Sequence, residues 1–191
     1  MPGVARSLVF VAALSIPLPA SAGLPDACSP FDVRVSAVEA APTQYAAFCR
    51  RMPEECALSG DPSLLLNPAL AKTLARVNKA VNAEIVLTAD AGCSEAEELW
   101  SRPTTGYGDC EDFALEKRAR LREAGVPSAA MTMAIVHHRT KFFAHALLLV
   151  ETDRGTFVLD NLTDDVMCWR DVPYNFERRE RPDGQWERFE R

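Results

Sequence analysis

Apolar positions recur along this chain with two different periods, and the change of period separates helices from strands. Leu70, Leu74, Val77, Val81 and Ile85 return every three or four residues, which predicts one buried face of a helix. Asn67-Pro68 opens that helix, with asparagine as N-cap and proline at the first helical position. A shorter helix is predicted from Thr43 to Phe48. Another begins at Glu111, where EDFALEKRARLREA carries acids early and bases late and stops at Gly125 and Pro127. Beyond it the apolar runs shorten to Ala129–Val136, Phe143–Glu151 and Thr156–Asp160, separated by polar turns at His137–Lys141 and Thr152–Gly155. These read as strands of an antiparallel meander packed against the helix, an α+β arrangement. An extended stretch, Phe31–Val35, precedes the helices, and the polar segment Thr88–Trp100 leads into the breakers of Arg102–Gly106. No internal repeat, low-complexity tract or linker interrupts the pattern, so residues 23–191 are expected to form one domain.

The first residues are of a different kind. Arg6 precedes an apolar run from Leu8 to Leu18, and Ala20-Ser21-Ala22 supplies a small-x-small cleavage site. Residues 1–22 are therefore expected to be a signal peptide cleaved after Ala22, with an uncleaved anchor as the alternative. The run is short and broken by Pro17 and Pro19, and no second long apolar run follows. A soluble mature protein, periplasmic or secreted and without a transmembrane segment, is the expectation. The formal net charge of −6 argues against nucleic acid as a partner. Arg178, Arg179, Arg181 and Arg188 are interleaved with Glu177, Glu180, Asp183 and Glu187 and read as a solvated, ion-paired surface.

Export changes how the six cysteines are read. Cys49 and Cys56 flank a short polar loop and are expected to form a local disulfide. Cys110 is expected to be free, which leaves the pairing of Cys28, Cys93 and Cys168 open. No pair has the spacing of a structural zinc site, and the histidines lie elsewhere.

Cys110 follows the turn Gly106-Tyr107-Gly108-Asp109 and starts a helix, where the macrodipole favours a thiolate. A small buried hydrophobe at a helix start is the plainer reading of a lone cysteine. The strands weigh against it. In a hairpin centred on the Thr152–Gly155 turn, Asp160 falls opposite Leu147 and His145 near Leu162, so His145 and Asp160 are diagonal neighbours on one face. Nucleophile, base and orienting carboxylate then make a Cys-His-Asp triad, with the backbone N–H of Cys110 as a candidate oxyanion donor. His137 and His138, placed in a turn, are expected to play no part. Asp109, Glu111 and Asp112 set three carboxylates around a thiol that needs a low pKa. A bound cation would resolve that conflict, and oxygen-rich clusters suit calcium; helix N-terminal capping is the competing account.

Gly108-Asp109-Cys110-Glu111-Asp112-Phe113-Ala114, Lys117, Leu121, Gly125, His145-Ala146 and Val158-Leu159-Asp160-Asn161 resemble the bacterial transglutaminase-like cysteine proteinase family. So do Phe48-Cys49 with Pro53 and Cys56, Asn82 with Ile85 and Asp90, and Trp100 with Pro103, so that the likeness covers about residues 45 to 170. Its LapG-type periplasmic members release biofilm adhesins from the cell surface. The resemblance implies a papain/transglutaminase-like fold and a thiol protease with Cys110, His145 and Asp160 in the triad roles. It further implies a calcium site in Asp109, Glu111 and Asp112, a protein substrate such as a surface adhesin, and a membrane-bound regulator. Asp90 could add a ligand to that site, and Trp100 could wall the cleft or simply pack in the core. Acyl transfer to an amine, as in a transglutaminase or amidase, and a non-catalytic binding module are the alternatives.

Overall fold

A computed structural model describes residues 24–25, 28–88 and 99–190. The expected signal peptide, Asp90 and Cys93 lie outside the described residues. In chain order the elements are β1 (Val35–Glu39), α1 (Thr43–Arg51), α2 (Pro53–Cys56), α3 (Pro68–Glu84), β2 (Val86–Leu87), β3 (Tyr107–Gly108) and α4 (Cys110–Glu123). A 3-10 turn (Ser128–Ala130) then leads to β4 (Met131–His138), β5 (Ala144–Thr152), β6 (Gly155–Leu159), β7 (Met167–Cys168), β8 (Tyr174–Glu180) and β9 (Trp186–Phe189).

Both long helices end where their sequences direct. Asn67 caps α3 by accepting the Leu70 N–H at 2.9 Å, and Leu74, Val77 and Val81 are buried along its inner face. Gly125 follows α4 at φ +85°. The N–H groups of Gly125 and Val126 return to the carbonyls of Arg122 and Leu121, a Schellman closure that satisfies carbonyls the helix leaves over.

The expected meander is the centre of a seven-stranded sheet with order β1-β9-β8-β4-β5-β6-β7. Its hairpin register is the one the turn predicts: Leu148 faces Leu159 and Thr152 faces Gly155. Gly155 turns at φ +107°, and a Cβ there would stand 2.5 Å from the Cys28 backbone. One face of the sheet packs with Leu74, Val81, Phe113, Leu115 and Trp186 in the main core. A second cluster on Ala134, Val136, Leu147, Leu149 and Phe176 also takes in Phe31 and Trp169.

Three expectations need correction. The extended stretch forms its strand later than predicted, at Val35–Glu39, pairing with β9. His137 and His138 belong to β4 and not to a turn. The arginine- and glutamate-rich tail forms β8 and β9. Its ion pairs are there, among them Arg179–Glu151 at 2.6 Å and Arg188–Glu39 at 2.8 Å, but the backbone beneath them completes the sheet.

One charged residue of the tail is buried in the core. Glu180 accepts from Arg118 Nη1 at 2.7 Å, from the Met133 N–H at 3.1 Å and from the Tyr45 hydroxyl. Arg118 has no exposed surface, so this network fastens α1 and α4 to β8 in the core.

The Cys49–Cys56 disulfide forms as expected, with Cα atoms 5.5 Å apart. A second disulfide, Cys28–Cys168, ties the segment before β1 to β7. Among the described residues no helix is long and apolar enough to cross a membrane.

Candidate active site

Glycine chemistry places the start of α4. Gly106 adopts φ +79°. At Gly108 a Cβ would stand 2.8 Å from Asp112 Cβ, so any side chain would push the turn off the helix it feeds. Asp109 holds the extended N-cap conformation and Cys110 is the first helical residue. The sulfur is buried against β5, where the Ala146 N–H points to it at 3.3 Å. That contact sets Cys110 beside the strand position next to His145.

His145 is buried, and its Nε2 lies 2.8 Å from Asp160 Oδ1. With Nε2–H donated to the carboxylate, Nδ1 is left as the basic ring nitrogen. Asp160 follows the last residue of β6 and is only 3% exposed. Its Oδ1 also accepts the Leu162 N–H at 3.0 Å, and Oδ2 accepts the hydroxyl of Tyr174. Burial alone would raise the Asp160 pKa, but the hydrogen bonds from His145, Tyr174 and Leu162 outweigh it and hold the acid below its usual range. Asn82 fixes the backbone at this point by donating to the Asp160 carbonyl at 3.0 Å.

Two neighbours escaped the sequence reading of the site. Tyr174 comes from β8, whose place beside β4 is visible only once the sheet is assembled. Lys117, quoted above only for its part in the resemblance, is fully buried on α4. Burial pushes its pKa down to about 7, against the pull of Asp160 and Asp164. The signal for Lys117 was its spacing: seven residues, about two turns, separate it from Cys110 on the same helix.

The expectation that Cys110 is free is corrected. No cysteine among the described residues is free, and Cys110 is disulfide-bonded. His138 is also not the inert turn residue expected. It is buried, its ring stands 5.5 Å from that of Tyr174, and its Nδ1 accepts the Thr140 and Lys141 N–H groups. Trp100 is buried and meets Tyr45 edge-on at 5.1 Å, a core position.

The acidic residues around the sulfur point different ways. Glu111 Oε2 lies 3.3 Å from Cys110 Sγ. Asp112 Oδ1 accepts the Ser101 N–H at 2.9 Å. Among the described residues Asp109 Oδ1 is buried with no hydrogen-bond partner. Burial pushes Asp112 up to about 7, the Ser101 hydrogen bonds oppose the rise, and the charge of Asp109 adds to it. Among the described residues no three His, Cys, Asp or Glu side chains converge into a metal cage. Asp109 and Asp112 fit a cation in charge and in the orphaned oxygen, while the further oxygens that calcium takes must come from elsewhere.

A groove of about 590 Å³ lined by Val33, His137, Trp169, Tyr174 and Phe176 contains none of Cys110, His145 and Asp160.

Residues 35–191 match the family model described as bacterial transglutaminase-like cysteine proteinase. Among solved structures the chain is similar to calcium-bound LapG of Legionella pneumophila, with 22% identity, 77% of this chain and 81% of that one covered, and a TM-score of 0.55. The EGTA-treated LapG of the same organism gives 22% identity, 78% and 77% coverage, and a TM-score of 0.56. At that identity the likeness establishes the shared fold. No curated protein matches the chain.

Proposed function

Because this chain belongs to the bacterial transglutaminase-like cysteine proteinases, we propose that it is an exported endopeptidase that cleaves a protein substrate with a Cys110-His145-Asp160 triad. The observation that carries the reading is the buried His145–Asp160 pair at 2.8 Å, one residue along β5 from the N–H that meets Cys110 Sγ.

In the reduced enzyme, His145 Nδ1 takes the thiol proton and Asp160 stabilises the resulting imidazolium. The thiolate attacks the scissile carbonyl, and the oxyanion meets N–H groups at the start of α4, that of Cys110 first. The imidazolium then protonates the leaving amine, and a thioester remains on Cys110. Water, deprotonated by His145, hydrolyses the thioester and restores the thiol. An amine in place of water would give the transglutaminase outcome. Two disulfides among the described residues favour an oxidising, periplasmic or secreted setting.

A sulfur held in a disulfide cannot attack, so proteolysis should depend on a thiol reductant. The purified chain, incubated with an unfolded protein such as casein, is expected to cleave it only after mild reduction. Products carrying a free carboxyl, with no incorporation of an added primary amine, would identify hydrolysis. Amine incorporation without cleavage would mark acyl transfer as the reaction, and neither product in the reduced enzyme would overturn the proposal.

Calcium belongs to the same reading. Asp109 and Asp112 would hold the ion, with Glu111 as a further ligand. Its charge would offset theirs beside the thiolate. One LapG structure is calcium-bound, which supports this assignment. Its test has a definite sign. In the metal-free protein Asp112 binds its proton more tightly when folded, so stability should fall as pH rises from 3.8 to about 7. Asp112→Asn should flatten that decline, and calcium should raise the melting temperature of the native protein near neutral pH but not that of the variant. Identical melting curves in calcium and in EGTA would leave only helix capping for these acids.

A further inference from the structure

Resting on the triad reading above, we propose that Tyr174 is the positioning residue of the catalytic acid: its hydroxyl holds Oδ2 of Asp160 so that Oδ1 faces His145 Nε2. A carboxylate at the end of a strand can rotate about its side-chain bonds, and one oxygen bonded to the imidazole does not fix its plane. Here Oδ1 receives both His145 Nε2 and the Leu162 N–H, and Oδ2 receives the Tyr174 hydroxyl. Donors on both oxygens fix the plane. Tyr174 is held firmly enough to do this. It is buried, it pairs with His138 across β4 and β8, and its ring packs 5.5 Å from the rings of both His145 and His138.

Several charged or titratable groups face this acid. His145 comes from β5, Tyr174 from β8, and Lys117 from α4, with Asp164 in the following loop acting on the same lysine. His138 of β4 touches the tyrosine ring but not the acid. Tyr174 is therefore the donor on Oδ2 that can be deleted without removing a charge. Losing it frees the acid to rotate and to take up a proton more easily. Both effects weaken the support of the imidazolium that forms when His145 takes the thiol proton.

The experiment is a double-mutant cycle on turnover, with kcat and KM for casein measured on mildly reduced enzyme for the native chain, Tyr174→Phe, Asp160→Asn, the double variant and His145→Ala. Tyr174→Phe should lower kcat about tenfold at an unchanged KM, because the acid loses its orientation while substrate binding is untouched. In the Asp160→Asn background the same change should add almost nothing, because the two residues act as a unit. A native-like kcat in Tyr174→Phe, or equal losses in both backgrounds, would overturn the inference and leave the triad standing. If His145→Ala also keeps the native kcat, the triad reading fails together with it.

Discussion

Cys110→Ala is expected to abolish peptide-bond cleavage, with a loss on the order of 10⁶-fold, because it removes the nucleophile that forms the thioester. His145→Ala should cost nearly as much, since thiolate formation and leaving-group protonation both pass through Nδ1. Asp160→Asn should be milder, on the order of 10⁴-fold, because the imidazole stays in place and loses only its orientation and its counter-charge. The three are not independent, so Cys110→Ala combined with His145→Ala should match Cys110→Ala alone. The internal control is His137→Ala: this ring is half exposed and paired with Glu177, and its loss should leave turnover nearly unchanged. His138→Ala cannot serve that purpose, because its ring packs on Phe143 and Tyr174. Measured turnover on reduced enzyme decides the matter, and a His145→Ala variant as active as the native chain would remove the base from the mechanism.

The second large effect is on stability. Glu180→Ala should destabilise the fold by about 3–5 kcal/mol, because it leaves the Arg118 guanidinium charged and buried without its carboxylate. Arg118 and Glu180 are both nearly inaccessible, and Tyr45 and the Met133 N–H bond to the same acid. Removing one charge costs far more than removing both. Arg118→Met with Glu180→Leu should recover part of the loss, since the apolar side chains need no partner while the Met133 N–H and the Tyr45 hydroxyl stay unpaired. Urea unfolding of the single and double variants tests this. A Glu180→Ala loss under about 1 kcal/mol would mean that solvent reaches the arginine in spite of its burial.

Local chemistry alone determined much of this protein. Asn67-Pro68 and Gly125 set the ends of the two long helices because caps and left-handed glycines act within a few residues. The Thr152–Gly155 turn set the register of β5 against β6, and with it the pairing of His145 with Asp160, because side chains alternate along a strand and a slip of one residue would reverse the faces. The spacing of Cys49 and Cys56 was enough for a local disulfide.

Long-range contacts decided the rest. β8 and β9 are dense in arginine and glutamate, a pattern that reads as solvated surface until β1 and β4 pair with them and the charges find partners on neighbouring strands. Tyr174 reaches Asp160 only because β8 lies beside β4, which the order of residues along the chain does not announce. Glu180 could not be told from its charged neighbours before Arg118 met it in the core. Cys28 and Cys168 are 140 residues apart, and their pairing is settled by where the sheet brings the two backbones. In each case the deciding interaction joins groups that are distant in sequence, and its energy is realised only after the core has closed around them.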